Sequence, residues 1–590
     1  MTAPRGDGAS LALRVDDLTC LDCAHRVERA LAAVPGVERV DVSYGTKRAH
    51  VVVDPSADVG TILPAALRAV EAAGYHATVT DDAAAGATSA TERATPPATR
   101  IITGSRSDED AGVAGAYDLL IVGTGSAGMA AAIRASELGA RAAIVEAADV
   151  VGGTCVNVGC IPSKYLVEAA RHYHTARTRF AGIAPCDPDL AWAEVVRQKQ
   201  STVDALRQEK YLDVLAAYEG ATLLRGRVTL LGDRAAGVHV RIVGPDGAHE
   251  LVVPRVVLAT GTRPARPPIP GLAEAGALDS TSVMALERLP ASMIVLGGGS
   301  VGLELGQAFA RFGVRVRDVE VAARILPAET PAVSETLTRA LQAEGLEIHA
   351  GARATRVERT SDGYTVHVEQ GSLRGVLEAE QLLVAAGRRP NIEQLGLDAA
   401  GVATDDHGFV RVDAYMRTSN PRVFAAGDVT GGPGFVYVAA LGGGIATQAA
   451  LAERAAEGAI PIDLATVPRV TFTEPQVAAV GLTEQEARAA GFTPKVTSLP
   501  VRALPRAVVS GHVGGSVLLV ADAGTDRLLG AHLVAPNAGD VIGEAALAVR
   551  FGLTTRDLVS TLHAYLTWGE GLKLAAQTFT KDVAKLSCCA

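Results

Sequence analysis

The feature that most constrains this chain is a pattern that it carries twice. Gly123-Thr124-Gly125-Ser126-Ala127-Gly128 follows the apolar run 117–122 and precedes a helical stretch to about residue 138. Glu146 then closes the strand-like run 142–145. Residues 293–296, Gly297-Gly298-Gly299-Ser300-Val301-Gly302, a second helical stretch and Glu320 repeat the order. In both copies the acid stands 23 positions after the first glycine, Gly123 to Glu146 and Gly297 to Glu320. A glycine fingerprint alone says little. One that leaves a strand, enters a helix and is followed by an acid about twenty residues on reads as a dinucleotide-binding βαβ unit. Its glycines let a pyrophosphate approach the helix N-terminus, and the acid accepts a hydrogen bond from a ribose hydroxyl. Two such units predict an α/β chain with two Rossmann-like domains and electron transfer between two cofactors. At 590 residues, with 62 glycines and few aromatics, the chain is long enough for about four domains with aliphatic cores.

About thirty residues beyond the first fingerprint stands Gly152-Gly153-Thr154-Cys155-Val156-Asn157-Val158-Gly159-Cys160-Ile161-Pro162-Ser163-Lys164. Four residues separate the two thiols, so a single turn can bring the sulfurs within bonding reach. The pair can be a disulfide, a dithiol or a metal clamp. Its place just after a dinucleotide fingerprint favours redox work. The compartment matters here, and the sequence begins without a charged stretch leading into an apolar one. It has no apolar run of the eighteen or more residues needed to span a bilayer, so a cytoplasmic location is expected. A net charge of -10 argues against a nucleic-acid partner. Of seven cysteines, six fall in close pairs, Cys20/Cys23, Cys155/Cys160 and Cys588/Cys589, and Cys186 stands alone. In a reducing compartment such pairs read as metal or redox sites rather than staples.

Residues 11–80 alternate as strand 11–15, helix 23–33, strands 37–42 and 49–53, helix 59–73 and strand 75–80, a ferredoxin-like βαββαβ order. Leu18-Thr19-Cys20-Leu21-Asp22-Cys23 lies at the first strand-to-helix junction, where backbone N–H groups and the helix dipole favour thiolate. A C-x-x-C there is a soft-metal clamp or a redox pair, and the short βαββαβ frame favours the clamp. The unit resembles the heavy-metal-associated domains of copper chaperones and metal pumps. Residues 81–115, short of large apolar side chains, read as a flexible tether that keeps this unit at high local concentration.

Residues 152–164 closely resemble the active-site segment of the flavin disulfide reductases, a family that includes glutathione reductase, dihydrolipoyl dehydrogenase and mercuric reductases. The resemblance implies that Cys155 exchanges with substrate while Cys160 lies against the flavin. It extends to Ala259-Thr260-Gly261-Thr262-Arg263-Pro264, a crossover between domains, and to Val423-Phe424-Ala425-Ala426-Gly427-Asp428, where Asp428 would bond the ribityl chain. It implies an FAD site made by Gly123, Gly125, Gly128, Glu146, Gly153, Thr154, Lys164, Gly261 and Asp428. A nicotinamide site would use Gly297, Gly299, Gly302, Glu320 and Arg324, with Lys164 and Glu304 paired beside the flavin ring. The reductant is left as NAD(P)H. The family points to NADPH, whereas Glu320 favours a free 2′-hydroxyl and Arg324 stands four residues on. Val470-Thr471-Phe472-Thr473-Glu474-Pro475 and the strands near Val517 and Gly530 resemble the family's α+β dimerisation domain, which implies a homodimer. The expected order is a heavy-metal-associated domain at 1–80 and a tether at 81–115. After these come the FAD-binding domain at 116–270, the NAD(P)H domain at 271–390, the rest of the FAD/central domain at 391–465 and the dimerisation domain at 466–590.

One departure bears on the substrate. Disulfide reductases carry H-P-T-x-x-E in the last domain, its histidine moving the substrate thiol's proton. Here the stretch is Tyr565-Leu566-Thr567-Trp568-Gly569-Glu570. An unperturbed tyrosine, with a pKa of about 10, is poorly suited to proton transfer near neutral pH. His563, two residues earlier, is expected on the other face of a strand-like segment. Reducing a disulfide releases thiols and needs that proton; reducing a soft ion between thiolates does not. Adjacent Cys588 and Cys589 close the sequence, where they can pass such an ion inward. These features resemble the mercuric reductase branch of the family. That resemblance implies Hg(II), arriving as thiolate complexes, as substrate. Cys20, Cys23, Cys155, Cys160, Cys588 and Cys589 would be its ligands, and Tyr565 and Tyr211 would stand near the inner thiols. The rival expectations are a dihydrolipoyl dehydrogenase-like enzyme and a metal-sequestering protein.

Overall fold

The computed structural model describes residues 10–15, 21–43, 48–54, 57, 59–79, 117–455 and 458–585 of the 590. Cys20, the tether at 81–115, Cys588 and Cys589 lie outside the described residues, and of Cys23 only the backbone is described. The chain separates into two compact units, Met1–Ala98 and Thr99–Ala590.

In the first unit the order βαββαβ is observed. Strands Val37–Ser43, Arg48–Val53, Ser10–Val15 and Ala77–Val79 lie side by side in that order, each pair antiparallel. Period-two alternation puts Leu11, Leu13 and Val15 on one buried face. Against it pack Val27 and Leu31 of helix Leu21–Ala32, and Ile62, Ala66 and Val70 of helix Val59–Ala72, each set at four-residue spacing. Cys23 is the third residue of helix Leu21–Ala32.

The second unit is built on three five-stranded sheets. The first is parallel, ordered Val423–Ala425, Arg255–Leu258, Leu119–Val122, Ala142–Glu146 and Ala221–Arg225. Its central strand, Leu119–Val122, is buried along its whole length, as a strand covered on both faces must be. Helices Ser126–Glu137 and Val436–Ala450 pack on one side. The second sheet is also parallel, ordered Leu278–Asp279, Gln381–Val384, Ser292–Leu296, Arg315–Glu320 and Glu347–Ala350. The short antiparallel pair Thr262–Pro264 and Arg388–Pro390 joins the two regions. The third sheet is antiparallel, with strands Arg469–Thr471, Gln476–Gly481, Leu528–Ala535, Ser516–Asp522 and Pro494–Pro500. Helices Ala538–Arg550 and Glu570–Gln577 bury Ile542, Ala545, Leu572 and Ala575 in the same core as strand residues Val480, Leu519 and Leu533.

Both fingerprints form strand, turn and helix as expected. A Cβ on Gly128 would sit 1.9 Å from the Gly123 carbonyl oxygen, and one on Gly302 would sit 2.0 Å from that of Gly297. Helix and strand meet too closely there for any side chain.

Two local expectations are corrected. A helix is expected over 203–217 around Tyr211; the helix instead begins at Trp192, runs to Arg207, and then widens into a π turn, Gln208–Leu212, before the short helix Asp213–Ala216. The segment around His563 is not a strand. Residues 562–569 form loop and turn, Leu566 takes φ 62°, and its N–H donates to Glu570 Oε2 at 2.7 Å, a closed geometry that extended pairing excludes.

Candidate active site

The thiols stand where one helix stops and another begins. Cys155 belongs to the short helix Gly153–Val158 and Cys160 opens helix Cys160–Arg177, with Gly159 between them. Both are free thiols, Cys155 half-buried and Cys160 more exposed. They lie within hydrogen-bonding reach, and the pair shares one proton unequally. The bond donated by Cys155, helped by the Lys164 cation, pulls Cys160 down to about 7 against the opposing effect of burial. The same bond, together with burial, pushes Cys155 far up. Near neutral pH the site therefore presents a thiol at Cys155 and a substantial share of thiolate at Cys160.

The loop that carries the thiols is fastened to the first dinucleotide fingerprint. Thr124, fully buried, accepts from the Gly152 N–H at 3.0 Å, and both its N–H and its hydroxyl donate to Glu146 Oε2. Gly153 takes φ +63°, and a Cβ there would come within 2.6 Å of Gly125 Cα. Asn157 closes the turn by donating to the Val151 and Gly153 carbonyls at 2.9 and 3.0 Å. The acid that ends the second strand of the second unit, Ala142–Glu146, thus reaches the thiol loop through a single threonine.

Lys164 follows Cys160 by one helical turn. Its Nζ lies 2.5 Å from Glu304 Oε2 and 4.7 Å above the Phe472 ring. Glu304 is buried, and its other oxygen accepts the Phe472 N–H at 2.8 Å. The pair is therefore more than a surface ion pair, since Glu304 has no water to fall back on. Glu304 is one tooth of a polar zipper along helix Ser300–Arg311 that sequence reasoning missed. The Ser300 hydroxyl bonds the Thr471 hydroxyl at 2.6 Å. Gln307 bonds the Glu474 N–H and carbonyl at 2.8 and 2.7 Å, and Arg311 bonds Glu474 Oε2 at 2.7 Å. Positions 300, 304, 307 and 311 share one helical face, so that spacing was the available signal.

Of the remaining expected residues, Tyr211 sits in the π turn beside the thiol loop, with its Cδ1 3.5 Å from where a Cβ on Gly152 would be. Burial raises its phenol, opposed by a bond with Ser126, and the two thiols add to the rise, which marks them as neighbours. Asp428 accepts the Thr262 hydroxyl at 2.9 Å and lies 4.0 Å from Arg388. Tyr565 is 56% exposed, on a turn that also carries Leu562 and Leu566 outward. Glu570, the acid of that stretch, accepts the Leu566 N–H and so holds the backbone of the turn. His563 is turned inward to Glu544, 2.7 Å from Nε2 to Oε1, with its side chain 6% exposed. Glu320 accepts the Gly298 and Ala322 N–H groups at 2.7 and 2.6 Å. Arg324 donates to the carbonyls of Pro327 and Glu329 in its own loop. Cys186 donates to the Ala176 carbonyl and is exposed.

Both fingerprints fit dinucleotides. The outer glycines of each are packed against backbone. A Cβ on Gly125 would meet nothing nearer than 3.9 Å and one on Gly299 nothing within 4 Å. The middle of each loop is thus open to a pyrophosphate at the start of a helix. Beside Gly299 and Ser300 a cavity of about 190 Å³ is lined also by Phe435, Arg469 and Thr471. Among the described residues no cluster of three or more His, Cys, Asp or Glu could hold a metal ion, and no helix is long and apolar enough to cross a membrane.

Residues 117–443 match the pyridine nucleotide-disulphide oxidoreductase model, residues 467–576 the dimerisation domain of those enzymes, and residues 12–76 the heavy-metal-associated domain. Mercuric reductase of Staphylococcus aureus is 40% identical over 98% of this chain and 99% of its own. That of Streptomyces lividans is 43% identical over 80% of this chain and 98% of its own. Among solved structures, the HOCl-induced flavoprotein disulfide reductase RclA of Escherichia coli superposes with a TM-score of 0.69 at 29% identity, covering 79% of this chain and all of its own. LpdA of Mycobacterium tuberculosis gives 0.70 at 27% identity, over 78% of this chain and 99% of its own.

Proposed function

We propose, from the premise that this chain belongs to the pyridine nucleotide-disulphide oxidoreductases and within them to the mercuric reductases, that it reduces Hg(II) to elemental mercury with electrons from NAD(P)H. What supports the reading is the close pair Cys155 and Cys160, with Cys160 held low, together with a sequence that has Tyr565 where the family has its histidine and a His563 that is engaged by Glu544. FAD, when bound, relays the electron pair of the reduced nicotinamide to the thiols. Residues 123–128, Glu146, Gly153, Thr154, Lys164, Gly261 and Asp428 would hold FAD, and residues 297–302 with Glu320 the nicotinamide nucleotide.

The chain's own part is ligand exchange. Each sulfur of the Cys155–Cys160 pair displaces one of the two small thiolates that hold Hg(II), and the proton of Cys155 leaves on a departing thiolate. Two new Hg–S bonds replace two old ones. Two electrons, supplied from NAD(P)H by way of the FAD that would be bound there, convert the ion to Hg(0) and leave both sulfurs reduced. Cys155 retakes from solvent the proton it gave up at entry, so no dedicated imidazole donor is needed at the exit. Lys164, fixed by Glu304, holds positive charge beside Cys160 through the cycle.

The proposal extends to the chain's organisation: a metal-capturing domain at 1–80, a tether at 81–115, FAD-binding segments at 116–270 and 391–465, an NAD(P)H domain at 271–390 and a dimerisation domain at 466–590. In a homodimer, Cys588 and Cys589 of the partner subunit and Tyr565 of the partner subunit would stand at the thiols, with Tyr211 on the near side. Cys20 and Cys23 would capture Hg(II), and the enzyme would work in the cytoplasm. The test is a substrate panel. Hg(II) in excess small thiol should accelerate NAD(P)H oxidation by the purified holoenzyme, while oxidised lipoamide and glutathione should not. Turnover with either disulfide and none with Hg(II) would overturn the proposal.

A further inference from the structure

The end of strand Arg315–Glu320 departs from what a bound phosphate would want. Period two puts Val316, Asp318 and Glu320 on one face, and all three are buried. Glu320 lies under the second fingerprint, both of its oxygens fixed by the Gly298 and Ala322 N–H groups. A carboxylate has about four lone-pair sites, so two stay available to a ribose diol. Behind it the carboxyl of Asp318 is 1% exposed with neither oxygen partnered, and a Cβ on Gly298 would lie 3.2 Å from Asp318 Oδ1. Burial, and then the charge of Glu320, raise Asp318 to about 7. Val321, next in the chain, is 60% exposed and supplies no charge. Arg324 and Arg469 border this loop; Arg469 is committed, and Arg324 is held by one terminal nitrogen while its buried Nε has no partner. Arg324 donates to the Pro327 and Glu329 carbonyls, and Arg469 pairs with the Glu329 carboxylate at 3.1 Å.

We infer that this chain selects NADH over NADPH, with Glu320 as the specificity-determining residue and Asp318 as the second acid behind it. A 2′-phosphate would place about two negative charges against a fixed carboxylate in a partly desolvated site, with Arg469 already paired to Glu329 and Arg324 tied to the carbonyls of its own loop. A 2′-hydroxyl would instead donate to Glu320. The inference rests on the nicotinamide-dependent reading above and deepens it, and it can be tested without mercury, so the two can fail separately.

The test is equilibrium binding to the oxidised FAD-containing holoenzyme, with AMP against adenosine 2′,5′-bisphosphate and NAD⁺ against NADP⁺, followed by calorimetry. The unphosphorylated member of each pair should bind about tenfold or more tightly. Glu320→Ala should bring each pair to within about threefold, whereas Arg324→Ala should leave the wild-type ratio unchanged. Wild-type enzyme that binds the 2′-phosphorylated member equally or more tightly would overturn the inference. So would an Arg324→Ala variant that loses only the phosphorylated ligands. If Glu320→Ala fails to fold, the wild-type ratios and Arg324→Ala still decide.

Discussion

Cys155→Ala should move the proton of its neighbour. In the wild-type dithiol, Cys160 is held at about 7 from an ordinary value of 9.0, first by the bond from Cys155 and then by Lys164, against burial. Alanine removes the bond and leaves the cation. Because Cys160 is partly open to solvent, which screens what remains, the thiolate midpoint should rise by roughly one to two pH units. The sign follows from the acid: a lowered pKa favours the thiolate above it, so losing the shift costs thiolate at neutral pH. At pH 7 the ionised fraction would fall from about one half to between about 1 and 10%. The loss of reactivity should be smaller, because a more basic thiolate is the better nucleophile, with a Brønsted slope of about 0.4–0.5. The net fall in thiolate-dependent capture of Hg(II) near pH 7 is therefore several-fold. The assay is a pH titration of the reduced wild type and of the FAD-loaded variant, read by thiolate absorbance with Cys155→Ala/Cys160→Ala as the blank. An unchanged midpoint near 7 in the variant would refute the assignment of the shift to the Cys155 bond and leave Lys164 as its source.

Other consequences are independent of that one. Arg311→Ala removes the buried cation shared by Glu344 and Glu474, and should destabilise the holoenzyme to urea by about 3–5 kcal/mol; a loss below about 1 kcal/mol would show that the zipper is ornamental. Tyr565→Phe should lower Hg(II) turnover several-fold. His563→Ala should change turnover less than about twofold while lowering thermal stability by about 1–2 kcal/mol, since it strips only a buried bond to Glu544; the reverse ranking in turnover would make His563 the working group. Cys588→Ser/Cys589→Ser should raise the Hg(II) concentration needed at half-maximal rate in excess thiol and leave reduction of the flavin by NAD(P)H unaltered, as stopped-flow spectra would show.

What the sequence disclosed is what depends on neighbours along the chain. Both glycine loops, the acids Glu146 and Glu320 and the small βαββαβ unit follow from period, spacing and turn chemistry, and the structure has them within one to three residues. What it hid depends on contacts across the fold. The bridge from Glu146 through Thr124 to Gly152 joins residues 22 and 28 positions apart. The zipper on helix Ser300–Arg311 needs a partner strand more than 160 residues away, as with Glu304 and Phe472. The π turn under Tyr211 has no propensity signature, because one extra residue in a helical turn leaves composition unchanged. Asp318 was legible in hindsight, since it shares parity with buried Val316, but a charged residue in Arg315-Val316-Arg317-Asp318 reads at first sight as solvated. His563 failed for a related reason: a strand was assumed where Glu570 closes a turn.

The central claim is that an electron pair leaves this molecule onto a soft ion held between two sulfurs, with no imidazole delivering a proton there. Its most direct test is to count product. Holoenzyme supplied with Hg(II), excess small thiol and NADH in a purged vessel should release one volatile Hg(0) for each nicotinamide oxidised, and Cys155→Ala should release far less. Nicotinamide oxidation with no mercury in the gas stream, or with small-molecule disulfide consumed in its place, would contradict the account.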